Sequence, residues 1–291
     1  LSSSAQLVVN TLTLGAVYAL IAVGFVILFR ATKVLSFAQG AFMVLGGLLF
    51  KTFTDQGLDL WAALVLALAA TFAVGALTYR VVFARIIGSE PFVTAMATIG
   101  LSTVYVAVAV MIWGATQITL PADVISGELW HVGPFRIQPA GVFAIVVALV
   151  TFALLLIGLQ RTRIGLRMRA VADDARLAGQ AGINTVKISM ASWGLAAAAA
   201  AAGAAAYLLS SVSTPASLQD VGLLAFPAIL LGGLDSILGA LVGGLAIAFI
   251  QTLTATYWSG SLQDVAAYVV LMLVLLARPS GLFGRPDAAR L

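Results

Sequence analysis

Cysteine is absent, and histidine occurs once, as His131. The first absence excludes disulfides and thiol catalysis and leaves the redox compartment unread. The second argues against a histidine-based metal centre. Charge is also scarce. Asp, Glu, Lys and Arg make up 9% of 291 residues, whereas 62% are hydrophobic; a soluble domain carries about 25% charged residues. A soluble chain this poor in charge could not cover its own surface, but in a bilayer lipid replaces the missing polar shell. The excess of fifteen Lys and Arg over eleven Asp and Glu therefore reads as topology, and no nucleic-acid partner is expected.

Catalytic signatures are missing as well. No G-x-x-x-x-G-K-[ST] occurs, and Lys33, Lys51 and Lys187 lie in no glycine-rich phosphate loop, so the chain is not expected to hydrolyse ATP by itself. Neither H-E-x-x-H nor G-x-S-x-G is present. Asp173 and Asp174 are adjacent, and adjacent carboxylates on a helix point in different directions, which argues against a catalytic dyad. No enzyme activity, cofactor or metal is expected. None of the main expected spans holds an ionisable residue near its centre, which counts against a self-sufficient proton-coupled carrier. A low-charge path suits an uncharged or zwitterionic solute, and sodium coupling through backbone carbonyls stays open.

What is present is long apolar runs. A helix rising ~1.5 Å per residue must cover ~30 Å of hydrocarbon, which predicts spans at about 5–29, 60–79, 92–113, 139–158, 188–209, 236–256 and 263–277. Two apolar segments, 36–50 and 222–234, are short and glycine-rich. The second reaches only ~20 Å as a helix, which predicts a broken or half-membrane element supported by neighbours. The whole is expected to be one all-α polytopic permease domain, 1–291, with 8–9 transmembrane elements. Residues 1–29 lack a basic n-region, so no cleavable signal peptide is expected. The first residue is Leu1 rather than Met, so a few native residues are expected to precede it.

Charge tests the count. If nine segments cross from an outer N-terminus, the inner loops hold Arg30, Lys33, Arg80, Arg85, the six bases from Arg161 to Lys187, Arg278, Arg285 and Arg290. The outer loops hold only Lys51 and Arg136. Thirteen against two is a strong positive-inside bias. It predicts an outer N-terminus and a cytoplasmic C-terminus. The longest outer connection, 114–138, is broken by Pro121, Gly127, Gly133 and Pro134, with Trp113 and Trp130 suited to the interface. The alanine-rich stretch 196–206 and the Gly239/Gly243 pair are expected to let helices approach closely.

Polar residues at membrane depth are amides and hydroxyls: Asn10, Tyr18, Gln39 beside Gly40, Gln251, and Thr94, Thr98 and Ser102 on one helical stripe. They fit either interhelical hydrogen bonding or a pathway lining. The inner loop 159–187 is the most informative soluble piece. Nothing but Gly179 opposes a helix from Leu166 to Ala181. Asp173 and Asp174 suit a cap, and Gly182-Ile183-Asn184 suits a stop. Such a loop can be a solvated basic stretch touching anionic membrane lipid. It can equally be a docking helix, with Ala172, Ala175, Leu177 and Ala178 as small knobs inside an arginine rim.

At this loop Arg163-x-Gly165-x-x-x-Arg169-Ala170-Val171-Ala172-Asp173-Asp174, with Ala178 and Gly182-Ile183-Asn184 following, resembles the coupling loop of branched-chain amino acid ABC importer permeases of the LivH type. Tyr18 to Gly24, Leu35-Ser36-Phe37-Ala38-Gln39-Gly40, Leu231-Gly232-Gly233-Leu234-Asp235 to Ala240, and the tail Pro279 to Pro286 are similar to further family stretches. The family more often has Asn at Ser36, Gly at Asp235 and Pro at Leu238. The resemblance implies a multi-pass subunit of a bacterial plasma (inner) membrane. It implies a second, related permease as partner, two cytoplasmic ATPases and an external solute-binding protein. Arg169, Asp173, Asp174, Arg176, Ala178 and Gly182 are then expected at the ATPase contact. Gln39, Gly40, Thr94, Thr98, Ser102, Gly232 and Gly233 are candidates for the translocation path. The implied solute is a branched-chain or other hydrophobic amino acid. The alternatives are a urea or short-chain amide importer of the same architecture, or a stand-alone secondary carrier.

Overall fold

The structure, a computed structural model, describes residues 2–33, 35–86, 90–121, 130–132, 135–137 and 139–284. Helix α1 runs Ser2–Thr32 and α2 Gln39–Asp55. Helix α3, Leu60–Thr78, starts on Asp59, whose carboxylate accepts from the Trp61 amide at 3.1 Å. It passes through a π-helical turn, Tyr79–Phe83, into α4, Ala84–Ile86. Helices α5, Pro91–Trp113, and α6, Pro139–Arg161, begin at prolines, whose missing N–H costs nothing in a first turn. Between them lies an antiparallel pair, β1 Trp130–Val132 and β2 Phe135–Ile137, in the register Trp130 to Ile137. Two short helices follow, α7 Arg163–Asp173 and α8 Ala175–Gln180. The chain then forms α9 Thr185–Ser210, α10 Pro215–Gly232, α11 Ile237–Tyr257 and α12 Gln263–Ala277.

Among the described residues, eight helical spans are long and apolar enough to cross a membrane, and α2, at 17 residues, is a ninth apolar element. The chain is thus an all-α polytopic membrane protein. Two expectations from the sequence are corrected. The 222–234 segment is not a short, broken piece: it belongs to α10, a continuous helix of 18 residues that runs through Pro227. Its start is hidden in the sequence by Ser217, Gln219 and Asp220, which look like loop. The signal lies just before them, where the Thr214 hydroxyl accepts from the Ser217 amide at 3.2 Å and Pro215 follows in the first turn. Of the 36–50 segment, residues 39–50 lie in one unbroken helix, α2, which reaches to Asp55.

Helix α9 is the hub. Its run from Ala196 to Ala206 is buried except at Ala198, and α1, α2, α3 and α6 pack around it. Small side chains on one helix meet glycines on the next, the arrangement that gives van der Waals contact where no hydrophobic effect separates helix from lipid. A Cβ at Gly46 would overlap Ala201, and one at Gly75 would stand 2.6 Å from the Trp193 carbonyl oxygen. Trp193 is fully buried and stacks on Phe83 at 4.2 Å between centroids, beside the π-helical turn. Helix α10 crosses α2 at Gly222 and Gly40, where a Cβ on Gly222 would lie 2.5 Å from the Gly40 Cα. It meets α11 through Ala228 and Gly232 against Gly243 and Gly239. Helices α5, α6 and α12 form the periphery and expose large apolar side chains such as Phe92, Met111, Leu154 and Leu276.

The bundle has two distinct ends. At one, Arg30 donates through Nε to the Asp235 carbonyl at 2.9 Å, and Lys33 lies 3.9 Å from the Asp235 carboxylate. The tail returns there: the Leu282 and Phe283 amides donate to the Leu231 and Gly232 carbonyls at 2.8 and 3.0 Å, capping the end of α10. At the other end, Trp113 Nε1 donates to Thr52 at 2.8 Å, and Ile118 pairs with Ser213.

Candidate functional site

At the basic end, α7 and α8 form a separate element below the bundle. The Thr162 hydroxyl accepts from the Gly165 amide at 3.2 Å and starts α7. Gly165 presses so closely on the Leu159 carbonyl that a Cβ would overlap it, folding α7 back under α6. Arg169 Nη1 donates to the same carbonyl at 3.1 Å. Helical spacing puts Gly165, Met168 and Val171 on one face, and the last two are buried with Ala178 and Ile188.

The sequence allows one helix from Leu166 to Ala181 and also offers Asp173 and Asp174 as a cap; the element breaks at Asp174. This residue is extended, and its Oδ1 accepts from the Arg176 and Leu177 amides at 2.8 and 3.0 Å. Asp174 therefore caps α8 rather than continuing α7. At the far end Gly182 has φ +80, a left-handed conformation that glycine adopts without Cβ strain. The Ile183 amide donates to the Ala178 carbonyl and the Gly182 amide to the Gly179 carbonyl, both at 3.0 Å, which closes a Schellman stop. Asn184 Oδ1 then accepts from the Lys187 amide at 3.0 Å and opens α9. Within Gly182-Ile183-Asn184, glycine makes the turn, isoleucine the apolar contact and asparagine the cap.

Asp173, Asp174, Arg169 and Arg176 are all exposed on this element, as are three apolar side chains, Ile164, Leu166 and Leu177. Ala178 points inward and is buried. A cavity of about 660 Å³ separates the element from the end of α1 and the α10–α11 turn; Arg30, Lys33, Arg169, Asp173 and Asp235 line it.

The seven path candidates fall among packed helices. Gln39 Nε2 donates to the Ala196 carbonyl at 2.9 Å, while its Oε1 is buried and unpartnered among the described residues. Thr98 accepts from the Phe37 amide at 3.1 Å. Thr94 bonds back to the Glu90 carbonyl, and Ser102 accepts from Gln219 Nε2 at 3.4 Å. Gly40, Gly232 and Gly233 mark close backbone approaches. None of the seven lines a second, larger cavity, which sequence reasoning missed. That cavity, about 1060 Å³, opens at the other end between α1, α6, α9, α10, α11 and α12. Tyr18, Gln251, Asp220 and Asp264 line it. The Tyr18 hydroxyl donates to Gln251 Oε1 at 2.7 Å, and Gln251 Nε2 donates to Asp264 Oδ1 at 3.0 Å.

Comparison with known proteins covers the same elements. A family model described as branched-chain amino acid transport system / permease component matches residues 7–276, from α1 into α12. The high-affinity branched-chain amino acid transport system permease protein LivH of Escherichia coli (strain K12) is 30% identical, over 98% of this chain and 97% of that protein. BraD of Pseudomonas aeruginosa, described in the same words, is 31% identical over the same shares. A probable LivH of Methanocaldococcus jannaschii is 25% identical over 91% of this chain and 88% of its own length. No solved structure matches. The chain belongs to the family of branched-chain amino acid transport permease components, membrane transport subunits and not enzymes.

Proposed function

We propose that this chain is one permease of an ABC importer for branched-chain or similar hydrophobic amino acids. Permeases of this kind work with ATPase and solute-binding partners. On this reading a second, related permease completes the membrane pore, two ATPases dock on the coupling loops of the two permeases, here the α7–α8 element, and an external protein delivers the solute. The N-terminus lies outside and the C-terminus in the cytoplasm of a bacterial inner membrane, an orientation supported by the positive-inside bias. The observation that carries this reading is the two-faced character of α7–α8. Met168, Val171 and Ala178 anchor it to the bundle, while Ile164, Leu166 and Leu177 stay exposed at the basic end. An apolar centre rimmed by arginines is the anatomy of a protein interface. ATP-driven closure of the ATPases would push this element, and its anchor on α6 and α9 would carry the movement to the spans.

The absence of native cysteine makes single-cysteine mapping clean. Leu177→Cys is expected to cross-link to an ATPase subunit and to resist membrane-impermeant thiol reagents applied outside intact cells. Leu58→Cys, exposed at the opposite end, is expected to do the reverse. Labelling of Leu177→Cys from outside would refute the assigned orientation and the docking role together.

A further inference from the structure

The outer cavity has an unusual charge. Asp220 on α10 and Asp264 on α12 both line it, and none of the described residues that line it is Lys, Arg or His. Neither carboxylate has a cationic partner among the described residues, whose two ion pairs both lie elsewhere. Asp264 is not placed casually. Its Oδ1 takes the end of a hydrogen-bond chain from Tyr18 through Gln251, and both of those side chains are only 2% exposed. Thr252, nine-tenths buried, also lines the cavity, and its hydroxyl has no hydrogen-bond partner among the described residues. The remaining wall is largely apolar, with Leu14, Val17, Val221 and Leu224. Small-molecule sites commonly measure ~300–1,000 Å³ and combine apolar walls with a few placed polar groups. A volume of about 1060 Å³ admits an amino acid with water around it.

We infer that this cavity is a binding site for the ammonium end of the transported amino acid, with Asp264 and Asp220 receiving the cationic group and the apolar wall receiving the side chain. The inference rests on the reading of the chain as an amino-acid permease and adds a recognition step to it. The carboxylates favour solutes carrying an ammonium group over neutral amides and over carboxylic acids lacking the amine. Thr252 supplies a free hydroxyl for the solute's carboxylate. Tyr18 and Gln251 act as positioning residues, aiming Asp264 from below.

The test uses the assembled importer in lipid nanodiscs without its external binding protein, with ligand binding followed by saturation-transfer NMR. Leucine and isoamylamine are expected to bind, and isocaproate is not. Asp264→Asn is expected to weaken isoamylamine about fivefold, the upper end of what a solvent-exposed ion pair contributes, and to leave isoamyl alcohol unchanged. Asp264→Glu should restore the amine, and Asp220→Asn should weaken it as a second, independent variant. Isocaproate binding as tightly as isoamylamine, or unchanged amine affinity in both asparagine variants, overturns the inference. So does binding of calcium without binding of isoamylamine, which makes the acids an inorganic-cation site. ATP-driven leucine uptake by the complete wild-type importer is measured in parallel. Uptake without amine selectivity defeats this inference alone; no uptake defeats the reading beneath it.

Discussion

Asp174→Arg is expected to abolish coupling between ATP hydrolysis and transport while leaving the chain inserted in the membrane. Two losses combine. The two amides of Arg176 and Leu177 lose their acceptor, and removal of an N-cap costs about 1 kcal/mol. Helix α8 has only six residues, and isolated helices of that length are marginal, so the cap decides whether it forms. A new positive charge also enters a rim that already holds Arg169 and Arg176, and juxtaposing like charges at an interface costs several kcal/mol. The expected fall in substrate-stimulated ATPase activity and uptake is about a hundredfold or more. Asp174→Asn keeps the capping oxygen, since Asn caps as well as Asp, and should preserve most of the activity. Normal stimulated ATPase activity in Asp174→Arg would show that α7–α8 is not the docking element.

Gly243→Val is expected to remove folded protein from the membrane. A Cβ at this position would overlap the Ala228 carbonyl oxygen, and the obstacle is backbone that no rotamer change can move. Helices α10 and α11 would have to separate, and the neighbouring approach of Gly232 to Gly239 would open with them. Overpacking usually costs about 1–3 kcal/mol; displacement of two backbones places this case at or above the top of that range. Gly100→Val is the control, because nothing lies within 4 Å of a Cβ built there, and its yield should match the wild type. Detergent-extracted protein followed by size-exclusion chromatography reads both. Equal, monodisperse recovery of Gly243→Val would contradict the close helix crossing.

Glycine contacts such as this one separate what is legible in the sequence from what is not. Spans are legible because apolar length is a one-dimensional property: the run at 60–79 and helix α3, Leu60–Thr78, differ by a single residue at one end. Small-residue packing is legible as a type but not as an address. That the Ala196–Ala206 run is the hub, with Gly46 and Gly75 seated against it, depends on which helices become neighbours. The α7–α8 element is half legible. Asp174 and Gly182 announce a cap and a stop, yet the break between α7 and α8 and the inward turn of Ala178 follow from how α7 folds back on Leu159. The polar stripe Thr94, Thr98, Ser102 shows periodicity only; the partners, Phe37 and Gln219, come from other segments. The cavity at the opposite end is illegible. Asp220 and Asp264 sit on different helices, and an α10 that starts at Gly222, as hydropathy suggests, leaves Asp220 outside any span.

The most direct measurement of the central claim is leucine uptake into proteoliposomes. This chain, reconstituted with a second permease, two ATPase subunits and the external binding protein, should accumulate leucine only when ATP is supplied to the ATPase side. The chain reconstituted alone should accumulate none under a proton or sodium gradient. Gradient-driven uptake by the isolated chain in ATP-free vesicles would contradict the assignment as an importer subunit.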